Sequence, residues 1–135
     1  MDSTTATLIS AIVVMVIFSA YFSATETAFS SLNKIRLRSK AEAGDTRAAL
    51  TLSIANEYDR MLSTILIGNN IVNITASTLG TVLFTRLFDA YGPTISTVVL
   101  TVVVLIFGEI SPKSIAKESP ERFAMWASPL LRMLL

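Results

Sequence analysis

Hydrophobic positions along the chain gather into three long runs, separated by polar segments of unequal length. The runs occupy about residues 7–31, 61–85 and 94–113. A helix that rises ~1.5 Å per residue needs about 20 apolar residues to cross a bilayer. The pattern therefore predicts an all-α membrane protein whose single transmembrane domain, residues 1–135, contains three transmembrane helices.

The end of the third run places polar chemistry inside the membrane. Its apolar part, residues 95–107, reaches only about 20 Å, against a hydrocarbon core of roughly 30 Å. The span must therefore continue through Gly108 and Glu109. Pro112 lacks an N–H, and its ring clashes with the carbonyl four residues back, that of Gly108, so we expect a helix break. An acid beside an unpaired carbonyl at membrane depth predicts a cation site.

The polar segments predict helices on the cytoplasmic side of the membrane. Residues 33–59 mix basic and apolar positions around a turn at Gly44, which indicates a juxtamembrane amphipathic helical hairpin. Residues 120–135 carry an apolar stripe that is typical of an interfacial helix. The uncapped apolar end at Leu135 suggests a cut within a longer chain, and a short natural protein is the alternative.

Small polar residues in the first run share one helical face. Ser19, Ser23, Glu26 and Ser30 are separated by steps of four, three and four residues. A packing stripe of small residues between membrane helices explains the serines. A carboxylate within a span is costly and usually functional. Glu26 therefore lies either in a functional site or at the membrane interface, and the sequence leaves both open.

The second run is unusually polar for a membrane span. Asn69, Asn73 and Ser77 lie on one helical face, with Gly80 beside them and Asn70 next to Asn73. Asparagine amides can bridge membrane helices, and that is the structural explanation for a single asparagine. Two on one stripe beside a glycine favour a path for an ion or substrate.

Composition narrows the chemistry. Hydrophobic residues make up 52% of the chain and charged residues 16%, against a usual quarter for charge. The sequence contains no histidine and no cysteine, so it lacks the usual zinc ligands, the commonest general base and the best nucleophile. We predict no enzyme, and expect any metal to be bound by oxygen.

The charge distribution predicts the orientation in a cell membrane. Of eleven Lys and Arg residues, only Arg86 lies between the second and third runs. The positive-inside rule then places residues 33–60 and the C-terminus in the cytoplasm and the N-terminus outside. The N-terminus has no basic segment of the kind that opens a signal peptide. The basic residues flank membrane spans in short runs, so no nucleic-acid partner is predicted.

In this orientation, oxygen-bearing groups of all three spans lie at similar depth. The candidate metal ligands are Ser23, Asn69, Asn73, Gly108 and Glu109, with Asn70 and Glu26 as further candidates. Hydroxyl, amide, carbonyl and carboxylate oxygens are hard ligands, which fit Mg²⁺ best, with Na⁺ or Ca²⁺ as lesser candidates.

Four motifs resemble the CorC/CorB–cyclin M (CNNM) family of Mg²⁺ transporters. They are FSATETA at residues 22–28, RLR at 36–38, LSTILIGNNIVN at 62–73 and FGEISPK at 107–113. Each motif is weak alone. Together they cover most of the chain in order and at natural spacing, which makes the resemblance specific.

The resemblance implies a homodimeric three-span domain that exports Mg²⁺, driven by an inward Na⁺ gradient. It implies that Ser23, Asn69, Asn73, Gly108 and Glu109 hold the ion, whereas Asn70 matches a more variable position. Members of the family normally continue into a pair of cytosolic CBS domains that bind ATP–Mg²⁺. The sequence includes no such domains, so nucleotide regulation is not assigned to it.

Three functions stay open from the sequence. The first is a Mg²⁺ transporter that works by alternating access. The second is a Mg²⁺-sensing or accessory membrane subunit without transport of its own. The third is a structural anchor in which the asparagines only hold helices together. Dimerisation would use the small-residue faces of the second and third spans.

Overall fold

The computed structural model describes residues 2–135, and this part of the chain is helical with no strand, which confirms the all-α prediction. The α-helices are α1 (Ser3–Ser31), α2 (Lys34–Glu42), α3 (Thr46–Ala55), α4 (Tyr58–Phe88), α5 (Gly92–Val103), α6 (Ser111–Glu118) and α7 (Pro120–Leu134). A 3₁₀ turn, Asp89–Tyr91, joins α4 to α5, and a π-helix, Val104–Ile110, joins α5 to α6.

Two helical stretches are long and apolar enough to cross a membrane. The first is α1, Ser3–Ser31, and the second is Tyr58–Glu118, which contains 61 residues. Many large apolar side chains on these stretches are exposed in the single chain, among them Ile17, Ile67 and Val98, each 61% exposed. An apolar surface of this extent is typical of a lipid-facing or subunit-facing protein surface.

Helix α4 and helix α5 form a tight antiparallel hairpin. The 3₁₀ turn begins at Asp89, whose φ of 53° lies in the left-handed region. Immediately after the turn, Gly92 lies against the backbone of Thr85, where a Cβ would collide with it. About one turn farther from the hairpin end, a Cβ on Gly80 would collide with the side chains of Ser96 and Leu100. Glycines at both levels therefore let the two backbones approach closely.

The third hydrophobic run differs from the expected broken helix. The backbone stays helical from Gly92 to Glu118, and residues 104–110 widen into a π-helix. The N–H of Ser111 accordingly donates to the carbonyl of Ile106, five residues back. The break predicted at Pro112 is therefore wrong: Pro112 lies in the first turn of α6, where a missing N–H is tolerated, and the wide turn before it accommodates the ring.

Helix α1 is the central element of the packing. It contacts α4, the π-helix, α6 and α7. The larger hydrophobic cluster surrounds its C-terminal half and includes Phe22, Ala28, Ile54, Met61 and Ile65. A smaller cluster of Ile12, Leu83 and Leu100 closes the other end, where α1 meets the α4–α5 hairpin. The middle of α1, between these clusters, is where its polar face meets its neighbours.

Candidate functional site

The polar junction of the long helical segments is centred on Ser19. The Ser19 Oγ donates a hydrogen bond to the Asn69 Oδ1 of α4 at 3.2 Å. Gly108 of the π-helix lies against the same hydroxyl, since a Cβ on Gly108 would be 3.0 Å from the Ser19 Oγ. Ser19 is only 1% exposed. One buried hydroxyl thus joins α1, α4 and the π-helix.

Gly108 is suited to this junction because it carries no side chain. A Cβ at 3.0 Å from the Ser19 Oγ would press on the hydroxyl that binds Asn69. The absence of a Cβ also brings the backbone of the π-helix within reach of the polar groups on α1. Single π-helical turns inside α-helices are often located at functional sites. The predicted ligands Asn69 and Gly108 are therefore brought together.

The polar face of α1 is turned toward α4 over most of its length. Ser23, one turn after Ser19, is 2% exposed. Farther along, the Ser30 Oγ lies 2.9 Å from the Tyr58 hydroxyl at the start of α4. Glu26 lies on this face between the two serines and is half-buried. The predicted ligand Ser23 is thus enclosed within one helical turn of the junction.

The remaining candidates lie around the junction. Glu109 follows Gly108 in the π-helix and is half-buried, and its carboxylate forms no ion pair within residues 2–135. Asn73, one turn after Asn69 on α4, is half-buried and lines a groove with Val104 of the π-helix. Asn70 is exposed. The structure therefore leaves Asn73 half-buried one turn from the junction residue Asn69, and Asn70 exposed.

Pro112 lies on the apolar side of this region. It is buried, and it lines an apolar groove of about 380 Å³ together with Tyr21, Phe107 and Trp126. Its surroundings offer few polar groups. Its contribution to the site is therefore through the backbone, by ending the π-helix that presents Gly108 and Glu109.

Ser19 is the residue that sequence reasoning missed. The four-three-four spacing placed it on the same face as Ser23 and Glu26, and that was the available signal. The estimated depth in the membrane and the family motif both favoured Ser23. Which turn of α1 lies level with Asn69 depends on the relative translation of two helices, and a single sequence does not specify that translation.

The donor chemistry of the junction is largely neutral. Within residues 2–135, no group of three or more His, Cys, Asp or Glu side chains lies close enough together to hold a metal ion. The Ser19 hydroxyl and the Asn69 amide meet there beside the backbone of Gly108, and Glu109 is the next residue along the chain. Such oxygens are ligands for hard cations.

A second groove begins at Asn73 and follows the α4–α5 hairpin away from the junction. Its volume is about 310 Å³, and hydroxyl-bearing side chains such as Ser77, Ser96 and Thr101 line it together with the apolar side chains of Leu100, Val104 and Leu105. The groove is open on one side of the hairpin. A groove with both polar and apolar lining therefore extends beyond the predicted ion site.

Comparison with known proteins identifies the relatives of this chain. A family model described as the cyclin M transmembrane N-terminal domain matches residues 10–135. The chain is similar to the UPF0053 inner membrane protein YfjD of Escherichia coli, with 47% identity over 116 residues, which are 86% of this chain and 27% of that protein. A UPF0053 protein of Haemophilus influenzae is 42% identical over 129 residues, or 96% of this chain and 31% of that protein.

A relative with a functional name is more distant. The polyamine export protein of Haemophilus influenzae is 29% identical over 128 residues, which are 85% of this chain and 30% of that protein. The chain thus spans less than a third of the length of each of these three relatives. More than two thirds of each of these relatives lies outside the part that this chain matches.

Proposed function

We propose, because the chain belongs to the cyclin M transmembrane N-terminal domain family, that it forms the membrane part of a transporter that exports Mg²⁺. The observation that carries the proposal is the meeting of Asn69, Gly108 and Ser19 at one buried point. These three positions come from the three long hydrophobic segments. A cation bound there is reached by oxygen atoms from all of them.

The proposed ligands are Ser23, Asn69, Asn73, Glu109 and the carbonyl of Gly108. The Asn69 Oδ1 accepts one hydrogen bond from Ser19, and an amide oxygen has a second lone pair for a cation. The hydrogen bond from Ser19 would fix the direction of that lone pair. Mg²⁺ takes about six oxygen ligands at roughly 2.1 Å and often keeps some of its waters.

Three membrane crossings are the finer part of the proposal. A straight helix over Tyr58–Glu118, with 61 residues, would measure about 90 Å, three times a hydrocarbon core of roughly 30 Å. The turn at Asp89–Tyr91 folds that stretch into two antiparallel arms. Together with α1, the two arms make three crossings, with the N-terminus outside and the C-terminus in the cytoplasm.

The π-helix supplies the conformational freedom that alternating access requires. Transporters commonly place irregular helix backbone beside the bound ion, near the middle of the membrane. Residues 104–110 form such a segment, and Gly108 within it has no side chain to lock its packing. A change between π-helical and α-helical turns would rotate Glu109 relative to α4 and could open the site to the other side.

The partners of the domain are also proposed. We expect a homodimer in the lipid bilayer, coupled to an inward Na⁺ gradient. The relatives are more than three times as long as this chain, so a complete protein has room for the pair of cytosolic CBS domains. Helix α7, at the end of the chain, would connect such domains to the membrane helices.

A second cargo is supported by one observation. A relative is named as a polyamine export protein, and a polyamine is a flexible organic polycation. The same carboxylate and neutral oxygens could hold its ammonium groups. The open groove beyond Asn73 has the volume that a longer cargo needs.

Flux measurements separate these possibilities. The purified protein is reconstituted in liposomes loaded with Mg²⁺ or with a polyamine, and efflux is followed with and without a Na⁺ gradient. We expect Mg²⁺ efflux that the gradient accelerates. Polyamine efflux without Mg²⁺ efflux would mean that the transported substrate is a polyamine and not Mg²⁺. Mg²⁺ binding without any flux would favour the sensing or accessory subunit over the transporter.

Substitution of Glu109 tests whether this carboxylate lies on the transport path of Mg²⁺. Glu109→Gln keeps the shape of the side chain and removes its charge, and we expect it to reduce Mg²⁺ efflux by at least tenfold. Glu118→Gln is the matched control, because Glu118 is exposed at the end of α6. Equal efflux from both variants would remove Glu109 from the transport path, and unchanged Mg²⁺ affinity in Glu109→Gln and Asn73→Ala would favour the structural anchor.

A further inference from the structure

The apolar groove beside Pro112 lies between α1, the π-helix, α6 and α7. Its volume of about 380 Å³ falls within the range of about 300–1,000 Å³ that is typical of small-ligand pockets. Among the described residues 2–135, those that line it include no charged side chain and none of the proposed cation ligands. The groove is therefore separate from the proposed ion site and suits the hydrocarbon part of a ligand.

The rim of the apolar groove consists of large, exposed apolar side chains. Ile17 is 61% exposed, Phe107 and Ile115 are each 60% exposed, and Trp126 is 62% exposed. Each of the four segments around the groove contributes one of these side chains. Exposed apolar surface of this extent marks a ligand-binding or membrane-contacting surface.

Two aromatic side chains indicate that the apolar groove lies near the membrane–water boundary. The Trp126 ring meets the Tyr21 ring edge-on, with their centroids 6.3 Å apart. Tryptophan and tyrosine are enriched at this boundary because each side chain has an apolar body and a polar group. In the orientation proposed above, the C-terminal half of α1 is on the cytoplasmic side, so the boundary is the cytoplasmic one.

A basic side chain lies at the end of the apolar groove where α7 begins. Arg122 precedes Trp126 by four residues, so the two side chains lie on one face of α7, and Arg122 is exposed. The ion pair of 3.2 Å between Arg36 and Glu121 holds α2 beside this end of α7 and compensates the charge of Glu121. An exposed cation thus follows directly on the apolar lining.

The charge around this end of the groove is mainly positive. Residues 34–42 in α2 and residues 113–122 in α6 and α7 together contain seven Lys and Arg residues and three Glu residues. The four bases of α2 are all exposed. The positive-inside rule explains on which side of the membrane such bases lie, but it does not explain the apolar groove next to them. Basic residues beside a membrane span attract anionic lipid headgroups.

We propose that the apolar groove and Arg122 form a binding site for one anionic phospholipid. An acyl chain would lie in the groove between Phe107 and Trp126. The headgroup phosphate would pair with Arg122, whose aliphatic part can follow the apolar surface while the guanidinium stays at the level of the headgroups. The site depends on the proposed membrane location and is independent of the cargo.

The single tryptophan of the chain reports on this site directly. The sequence contains one Trp, Trp126, and it lines the groove. The protein is reconstituted in mixed bilayers of phosphatidylcholine and phosphatidylglycerol, with bromine on the acyl chains of one lipid or of the other. Bromine quenches tryptophan fluorescence on contact, so the two preparations compare the occupancy of the groove by zwitterionic and by anionic lipid.

We expect phosphatidylglycerol to bind beside Trp126 with at least threefold higher relative affinity than phosphatidylcholine, because its net charge is negative. Equal quenching by the two brominated lipids would overturn the proposal, since the groove would then take any acyl chain without regard to the headgroup.

Arg122→Gln tests the headgroup contact, and we expect it to lower the preference for phosphatidylglycerol by at least half. Arg47→Gln is the matched control with the same loss of charge, because Arg47 is exposed on α3 and none of the described residues of α3 lines the groove. An equal fall in both variants would count against a site, because the overall charge of the cytoplasmic side would then sort the lipids.

Ala20→Leu tests the acyl-chain contact, because Ala20 lines the groove and is half-buried. The larger side chain would fill part of the groove, so we expect at least a twofold loss of the phosphatidylglycerol preference although every basic residue remains. Val13→Leu is the control on the same helix, since Val13 is exposed and does not line the groove. An unchanged preference in Ala20→Leu would show that the chain binds elsewhere.

A cross-linking experiment separates lipid from a second copy of the chain. The sequence contains no cysteine, so Ile115→Cys places a single thiol at the rim of the groove. We expect no disulfide between two copies. Efficient cross-linking, together with a lack of quenching by either lipid, would overturn the proposal and make this face a subunit interface.

These measurements involve no ion flux, which keeps them separate from the proposed function. A preference for phosphatidylglycerol in a protein that does not export Mg²⁺ would contradict the proposed function alone. Mg²⁺ efflux in a protein without that preference would contradict the lipid site alone.

Discussion

At the scale of residues, the Ser19 hydroxyl holds the junction together. It donates a hydrogen bond to Asn69 and lies against Gly108. A substitution at any of these three residues should therefore change the energetic effect of a substitution at the other two. Residues in contact usually show coupling in double-mutant cycles. The coupling of Ser19 with Gly108 is therefore the sharpest residue-level consequence of this packing.

Gly108→Ala should disturb both stability and ion binding. The new Cβ would lie 3.0 Å from the Ser19 Oγ, and overpacking in a well-packed interior costs about 1–3 kcal/mol. We expect a lower melting temperature in detergent and weaker Mg²⁺ binding. Ser19→Ala removes the clashing oxygen, so the double variant should recover much of the lost stability. A double variant no more stable than Gly108→Ala would show that the strain arises elsewhere.

Asp2 caps the N-terminus of α1, at the other end of the molecule, and should make the stability of that helix end depend on pH. The hydrogen bond from the Thr5 N–H, helped by Arg86, lowers the pKa of the Asp2 carboxyl below 3.8. The ionised Asp2 carboxylate should thus stabilise the α1 N-terminus fully above about pH 3.8. This stabilisation should be lost as the pH falls through the lowered pKa. Amide exchange at Thr5 measures it, and Asp2→Asn should remove the pH dependence while it keeps a capping oxygen.

At the scale of elements, the sequence and the structure differ most at the third run. The loss of a hydrogen bond at Pro112 follows from covalent structure alone. Whether the helix breaks before Pro112 or widens into a π-helix depends on what packs against this segment. Here α1 packs against the π-helix. The polar faces of α1 and α4 followed from periodicity, whereas their relative height did not.

Pro112→Ala tests whether proline maintains the π-helix. The alanine N–H could donate to the carbonyl of Gly108, which would favour ordinary α-helical turns. We expect a folded protein with weaker Mg²⁺ binding, because Gly108 and Glu109 would rotate away from α4. Pro129→Ala is the control, since Pro129 also lies inside a helix, α7. Equal Mg²⁺ affinity in the two variants would contradict a role for Pro112 in shaping the site.

At the scale of the whole molecule, α7 packs against both α1 and α3, and α2 packs against α3. We call α2, α3 and α7, which lie beside the C-terminal half of α1, the collar. The Tyr21 hydroxyl donates to the carbonyl of Ala127 at 2.7 Å, and the hydroxyls of Thr51 and Ser128 lie 2.7 Å apart in the interior. An ion pair of 3.2 Å joins Arg36 to Glu121 at the edge. The collar thus holds the end of the chain against the helix that carries Ser19.

The buried contact of the collar should matter more than the exposed ion pair. Thr51 and Ser128 are both 0% exposed, and loss of a buried hydrogen bond costs about 1–3 kcal/mol. The Arg36 side chain is 66% exposed, and exposed ion pairs contribute about 0–1 kcal/mol. Thr51→Val should therefore lower the melting temperature more than Arg36→Gln does. The reverse order would mean that the collar is held by charge.

The central claim is that three hydrophobic segments enclose one cation between Asn69, Gly108 and Glu109. Mn²⁺ prefers the same oxygen ligands as Mg²⁺ and can be located in crystals by anomalous scattering. We predict one strong anomalous peak within about 2.5 Å of the Glu109 carboxylate, the Asn69 Oδ1 and the Gly108 carbonyl oxygen. Peaks confined to acids on the surface, with Glu109 turned into bulk water, would contradict the claim.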